Sequence, residues 1–92
     1  MTEEKQLQDA AVLGELVDQF VRSDVGSYLI DRINKEVQDG YKELREVSCS
    51  NASAVMAAQN RVRNGEMLKD WLGEAVANGM AALNVLESRI DD

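Results

Sequence analysis

The side chains able to do chemistry in this chain are few, and the groups that would activate them are missing. Ser48, Cys49 and Ser50 form a run of three possible nucleophiles, yet no His is present to serve as their base, and Lys69 lies far along the sequence. The lack of His also removes His-ligated metal sites. With one Cys there is no intramolecular disulfide, and Cys49 reads as an inert loop thiol of a reducing compartment. Carboxylates recur at i, i+4 spacing, at Asp39 and Glu43 and again at Glu66, Asp70 and Glu74. A di-metal carboxylate bundle adds Glu-x-x-His motifs to such acids. Without them the acids read as solvated helix faces. No Gly-x-x-x-x-Gly-Lys-Ser/Thr loop is present to cradle phosphate. The expectation is a non-enzymatic protein with no catalytic residues, no cofactor and no metal.

The elements that position these groups are helical. The chain has 92 residues, no Pro and abundant Ala, Leu, Glu, Gln and Met, so helix propensity is high nearly everywhere. At 45% hydrophobic and 29% charged it reads as a globular domain and not as a disordered segment. Two polar joints interrupt it. Arg22-Ser23-Asp24 offers Ser23 or Asp24 as an N-cap, and Ser48-Cys49-Ser50-Asn51 separates two apolar periodic segments. The spacing predicts helix 1 over about 3–22, helix 2 over about 24–46 and helix 3 over about 51–89, in one helical domain spanning 1–92.

Helix 2 places Gly26, Ile30, Ile33, Val37, Gly40, Leu44 and Val47 at alternating intervals of four and three, the spacing of a coiled-coil seam. Helix 3 continues the pattern through Ala58, Val62, Gly65, Lys69, Leu72, Val76, Gly79, Leu83, Leu86 and Ile90. Only Lys69 breaks it, and its stem can lie on the seam while the ammonium lifts out. Helix 1 shows a shorter stripe at Ala10, Leu13, Val17 and Phe20. A four-residue turn after Val47 makes helices 2 and 3 antiparallel. Centring it near Cys49 sets Gly40 across from Ala58, Ile33 across from Gly65 and Gly26 across from Leu72. The expected fold is all-α: a long antiparallel helical hairpin with an N-terminal third helix and coiled-coil-like packing.

Length then raises a question of cover. Helix 3 at ~39 residues runs about 58 Å and helix 2 at ~23 residues about 35 Å. The stripe from Val76 to Ile90 must be covered by helix 1 or by a second copy, since soluble monomers seldom leave such a patch bare. Helix 1 has only four apolar contacts on its main stripe, which favours a dimer or larger assembly. Trp71 sits beside Leu72, with Tyr28 near it in this register; such a pair is either a core cluster or a binding hot spot. Tyr28, Trp71, Leu72, Val76, Gly79, Leu83 and Leu86 are the candidate interface residues.

The net charge is −7, from seventeen acids and ten bases, and both halves of the chain are acidic. No basic stripe is present to track a phosphate backbone, so direct nucleic-acid binding is not expected. No apolar run approaches ~18 residues, so no membrane span is expected, and the polar, acidic stretch Met1 to Gln8 does not read as a signal peptide.

Three segments carry a resemblance. Ser23-Asp24-Val25-Gly26-Ser27-Tyr28-Leu29, then Gln59-Asn60-Arg61-Val62, then Trp71-Leu72-Gly73-Glu74-Ala75-Val76 with Gly79, Ala82 and Leu86, resemble a group of short helical proteins of tailed bacteriophages. Ala58 stands where the group's pattern has Leu. The resemblance implies a viral origin, in host cytoplasm or virion, and carries over no functional residues. Together with the seam and the missing catalytic groups, it leads to a helical phage protein acting through protein–protein association, as a homo-oligomer in particle assembly. The alternative is a small acidic binder that inhibits or adapts a basic host protein.

Overall fold

Local hydrogen bonding sets the start of each helix. In the computed structural model, which describes residues 2–90, three α-helices account for nearly all of the chain and no strand occurs among the described residues: α1 (Glu3–Arg22), α2 (Asp24–Glu46) and α3 (Ala52–Ile90). Thr2 caps α1 by accepting the Lys5 N–H at 3.2 Å. One residue, Ser23, both ends α1 and starts α2. Its N–H reaches the Gln19 and Phe20 carbonyls, its hydroxyl donates to the Phe20 carbonyl at 2.5 Å, and that hydroxyl also accepts the Gly26 N–H at 3.0 Å. Asn51 caps α3 through Oδ1, which accepts the Ala54 N–H at 3.1 Å. Both joints expected from the sequence are therefore capped breaks between helices.

The described residues gather into two compact units, one formed by residues 2–27 with 71–90 and the other by Tyr28–Asp70. In the Tyr28–Asp70 unit, Ile33, Val37 and Gly40 of α2 and Ala58, Val62 and Gly65 of α3 are the buried positions. Each trio is spaced four then three, which puts its members on one face of its helix. A Cβ on Gly40 would meet the Val62 Cγ2 methyl at 2.6 Å and the Ala58 carbonyl at 3.3 Å. One on Gly65 would meet the Val37 Cγ2 methyl at 2.5 Å, with Ile33 atoms next at 3.6 and 3.7 Å. The pairings of Gly40 with Ala58 and of Ile33 with Gly65 are thus contacts. The Lys69 ammonium leaves the seam to donate to Asn34 Oδ1 at 2.8 Å.

In the other unit, α1 lies against the C-terminal part of α3 through glycine. A Cβ on Gly14 would fall 2.7 Å from the Gly79 Cα and 2.9 Å from the Ala75 carbonyl; one on Gly79 would fall 2.7 Å from the Gly14 Cα and 2.9 Å from the Ala10 carbonyl. Backbone meets backbone at this point, as in small-x-x-x-small helix crossings. Ala82 is buried beside it, and Arg89 Nη2 donates to Glu3 Oε1 at 2.9 Å farther along.

One sequence expectation changes here, and one glycine gains a further reason. The face of α1 turned to α3 is Ala10, Gly14 and Val17, while Leu13 is 55% exposed, because a glycine admits a closer approach than a leucine would. Gly26 owes its small size to the α1–α2 break: a Cβ there would collide with the Phe20 carbonyl oxygen. Its nearest neighbours are that carbonyl and the Val21 Cα.

Candidate association surface

Packing on small residues brings backbones together and leaves larger side chains outside. Among the described residues the buried apolar ones are Ile33, Val37, Ala58, Val62 and Ala82, and no large side chain is fully enclosed. Val12, Leu13 and Leu16 on α1, Tyr28 on α2, and Met56, Trp71, Met80 and Leu83 on α3 are all exposed.

An apolar concavity lies within the α1–α3 unit. Val76, Gly79, Met80, Leu83 and Leu86 supply its α3 side; Ala11, Val12 and Gly14 supply the apolar part of its α1 side, with Gln8, Glu15, Asp18 and Arg22 at the rim, around a volume of about 610 Å³. Arg22 Nε donates to Asp18 at 3.1 Å within that rim. This groove brings together four of the seven residues singled out by sequence: Val76, Gly79, Leu83 and Leu86. Gly79 is buried at the crossing, Val76 and Leu86 are half-buried, and Leu83 is exposed. Leu72 is half-buried outside the groove. Trp71 is 55% exposed and Tyr28 68% exposed, so neither is a core residue. Glycine and alanine take the close contacts, and the aromatic rings are left on the flanks.

The Tyr28–Asp70 unit carries a different kind of site, one that sequence reasoning missed. Arg61 of α3 reaches three acids of α2: its Nε donates to Glu36 at 2.6 Å, its Nη1 to Glu43, and its Nη2 lies 3.6 Å from Asp39. Arg32 and Lys35 complete the network from α2, on Glu36 and Asp39. The Arg61 hydrogen bond holds the Glu36 carboxyl below its usual range, against a smaller opposing effect of desolvation. For Asp39 the main cause of a similar lowering is Lys35. The Arg61 guanidinium is raised in turn, chiefly by Glu36. Asp39 and Glu43 are therefore not a free solvated face. Glu66 is engaged as well, accepting the Tyr41 hydroxyl at 2.7 Å and pushing that phenol up. A signal existed in the sequence: the register that sets Gly40 across from Ala58 also sets Arg61 across from Val37, with Glu36 and Asp39 on either side.

Cys49 is exposed in the connection between α2 and α3. Among the described residues no group of three or more His, Cys, Asp or Glu side chains is placed to hold a metal ion, and no helix is long and apolar enough to cross a membrane. No family model matches the sequence, and no curated protein or solved structure matches the chain.

Proposed function

We propose that this chain acts by association and not by catalysis, as a helical phage protein that works as a homo-oligomer in particle assembly. One observation carries this reading: large apolar side chains stand exposed along one unit, Val12, Leu13 and Leu16 on α1 and Met80 and Leu83 on α3. Clustered exposed apolar side chains of this kind mark association surfaces more often than bare solvent-facing skin. The phage assignment rests on the resemblance of the Ser23–Leu29, Gln59–Val62 and Trp71–Val76 segments. The same reading takes α2 and α3 as an antiparallel hairpin packed in coiled-coil fashion. Its support is that contacts descend α2 from Gly40 to Asn34 while ascending α3 from Ala58 to Lys69.

Sedimentation velocity of the full chain across the micromolar range tests the proposal. The expected result is a mass that rises with concentration to a defined oligomer. A mass that stays at one chain throughout overturns it and favours the alternative, an acidic protein that occupies a basic host surface. Against that alternative, Arg61 already engages Glu36, Asp39 and Glu43, three of the acids such a binder would present.

A further inference from the structure

We infer that Asn78–Gly79 is a site of spontaneous covalent modification, at which local opening of α3 lets the Asn78 side chain and the backbone close on each other and so releases α1 permanently.

Two of the chain's six asparagines, Asn64 and Asn78, precede glycine. In such a pair no side chain shields the glycine nitrogen, and its backbone turns freely. The Gly79 nitrogen then bonds to the Asn78 Cγ and closes a five-membered succinimide. The side-chain nitrogen departs as ammonia, with the proton that Gly79 gives up. Water reopens the ring. Cleavage at Cγ leaves an aspartyl residue, whereas cleavage at the main-chain carbonyl leaves an isoaspartyl linkage, in which the chain runs through Cβ. The balance is one water consumed and one ammonia released, with no oxidation or reduction.

The fold both requires these pairs and restrains them. Gly65 and Gly79 are buried where another helix approaches α3 closely, and Asn64 and Asn78 are exposed beside them. In the helix each glycine N–H is spent on the carbonyl four residues back, Arg61 for Gly65 and Ala75 for Gly79. The helical ψ also holds that nitrogen away from Cγ. Ring closure therefore waits for local unfolding, and its rate reads the opening equilibrium at each pair.

Packing makes that opening unequal. Both pairs lie twelve residues inside an end of α3, Asn64 from Ala52 and Asn78 from Ile90, so distance from a helix end does not separate them. Around Asn64, the Tyr28–Asp70 unit buries Ile33, Val37 and Val62 and ties its helices through Arg61, Lys69 and Glu66. Around Asn78, the buried residues described in the other unit are Gly14, Gly26, Gly79 and Ala82, none with more than a methyl. Its helices are tied by Arg89 to Glu3. Asn78–Gly79 therefore opens more often. The product also matters more there. A Cβ on Gly14 would already sit 2.7 Å from the Gly79 Cα, so the crossing has no space for the added backbone carbon of an isoaspartyl linkage. That linkage also interrupts the hydrogen-bond ladder of α3 where α1 rests. A reversible opening becomes a lasting one.

The test ages the full chain in neutral buffer and, in parallel, in urea that unfolds it. Peptide mapping by mass spectrometry follows both pairs and separates isoaspartyl from aspartyl products, and limited proteolysis reports whether α1 stays docked. In urea the two pairs should react at one rate. In buffer Asn78 should react at least about tenfold faster than Asn64, the ratio given by an opening free energy lower by about 1.4 kcal/mol. Proteolysis within α1 should rise with the isoaspartyl fraction. Asn78→Gln keeps the amide and Gly79 but lengthens the ring; it should abolish both changes while the fresh protein keeps the parent's helicity. Asn64→Gln should leave both as in the parent. Equal rates in buffer, or Asn64 ahead of Asn78, overturn the assignment. So does a chain that reacts at Asn78 only in urea. An isoaspartyl chain whose α1 resists protease as the fresh parent does overturns the release.

Discussion

Two glycines of α3, six residues apart, should respond to the same substitution in opposite directions. A Cβ at Gly73 would meet nothing within 4 Å. Gly73→Ala therefore gains only helix preference and should stabilise by about 0.5–1 kcal/mol. The same change at Gly79 gains that preference but sets a methyl 2.7 Å from the Gly14 Cα and 2.9 Å from the Ala10 carbonyl. Ordinary carbon–carbon contact begins near ~3.5 Å, so α1 must withdraw by about 0.8 Å, and a gap of that size forfeits a quarter to a half of the dispersion attraction across it. Both obstacles are backbone, so no side chain can rotate away. The loss extends along the whole crossing, which places the cost toward the upper end of the ~1–3 kcal/mol typical of overpacking. After the helix gain, Gly79→Ala should be less stable than the parent by about 1–2 kcal/mol. The two variants then differ by about 2–3 kcal/mol, a melting difference on the order of 10 °C in a domain this size. Thermal unfolding followed at 222 nm, at one matched protein concentration, measures it. A Gly79→Ala chain that melts as high as Gly73→Ala would show that α1 does not cross α3 on Gly14 and Gly79.

Three further outcomes follow from the Tyr28–Asp70 unit. Gly65→Leu drives a large side chain into the Val37 methyl and Ile33, and should destabilise by ~1–3 kcal/mol in urea unfolding; a variant more stable than the parent would place Gly65 away from α2. The lowered Glu36 and Asp39 carboxyls stabilise the fold in full above their ordinary pKa values of 4.5 and 3.8, and this contribution is lost as pH falls through the lowered folded values. The parent's melting temperature should therefore drop below about pH 4, modestly because the network is solvent-screened. Arg61→Met should flatten that drop, and an unchanged acid limb would refute the assignment. In a Tyr28→Phe background, absorbance near 295 nm should show Tyr41 ionising above pH 10; Glu66→Gln should bring that titration down, and no movement would mean the 2.7 Å hydrogen bond does not form in solution.

Much of this organisation is legible in the sequence. The two polar joints contain the observed breaks at Ser23 and at Ser48–Asn51, because capping chemistry is local and each cap lies within a few residues of what it caps. The Gly40–Ala58 and Ile33–Gly65 pairings were legible because a short turn and a four-three repeat leave one register. The α1–α3 crossing was not. Periodicity marks Leu13 as readily as Gly14, and hydrophobicity alone favours the leucine. What decides the face is how closely the backbones approach, a property of two helices jointly. The size limit at Gly26 was not legible for a related reason: seam spacing carries no sign of the Phe20 carbonyl behind the break. Arg61 went unnoticed because a charged residue beside a seam carries no periodic signal, although its acidic partners follow from the register once that is drawn.

The glycine crossing and the exposed apolar residues have one physical cause. Where Gly14 meets Gly79, the contact consists of Cα atoms and carbonyls, and the side chains that would normally interlock there are absent. Van der Waals contact between backbones orients α1 on α3 yet removes little side-chain area from water. The larger apolar residues of the unit are displaced to the flanks, Val12 and Leu16 on α1 and Met80 and Leu83 on α3. Burial of apolar surface is the main favourable term in folding, so a helix pair built this way is stabilised weakly by itself. If those flanking side chains are buried by association, the folding of the α1–α3 unit and its docking are thermodynamically one process. Stability of the unit should then rise with protein concentration in the parent and lose that dependence in Met80→Glu. Chemical unfolding of the two chains at two concentrations a hundredfold apart tests the link. Equal midpoints for the parent at both would mean that the helix pair is stable without a partner, and that the apolar flanks play no part in holding it.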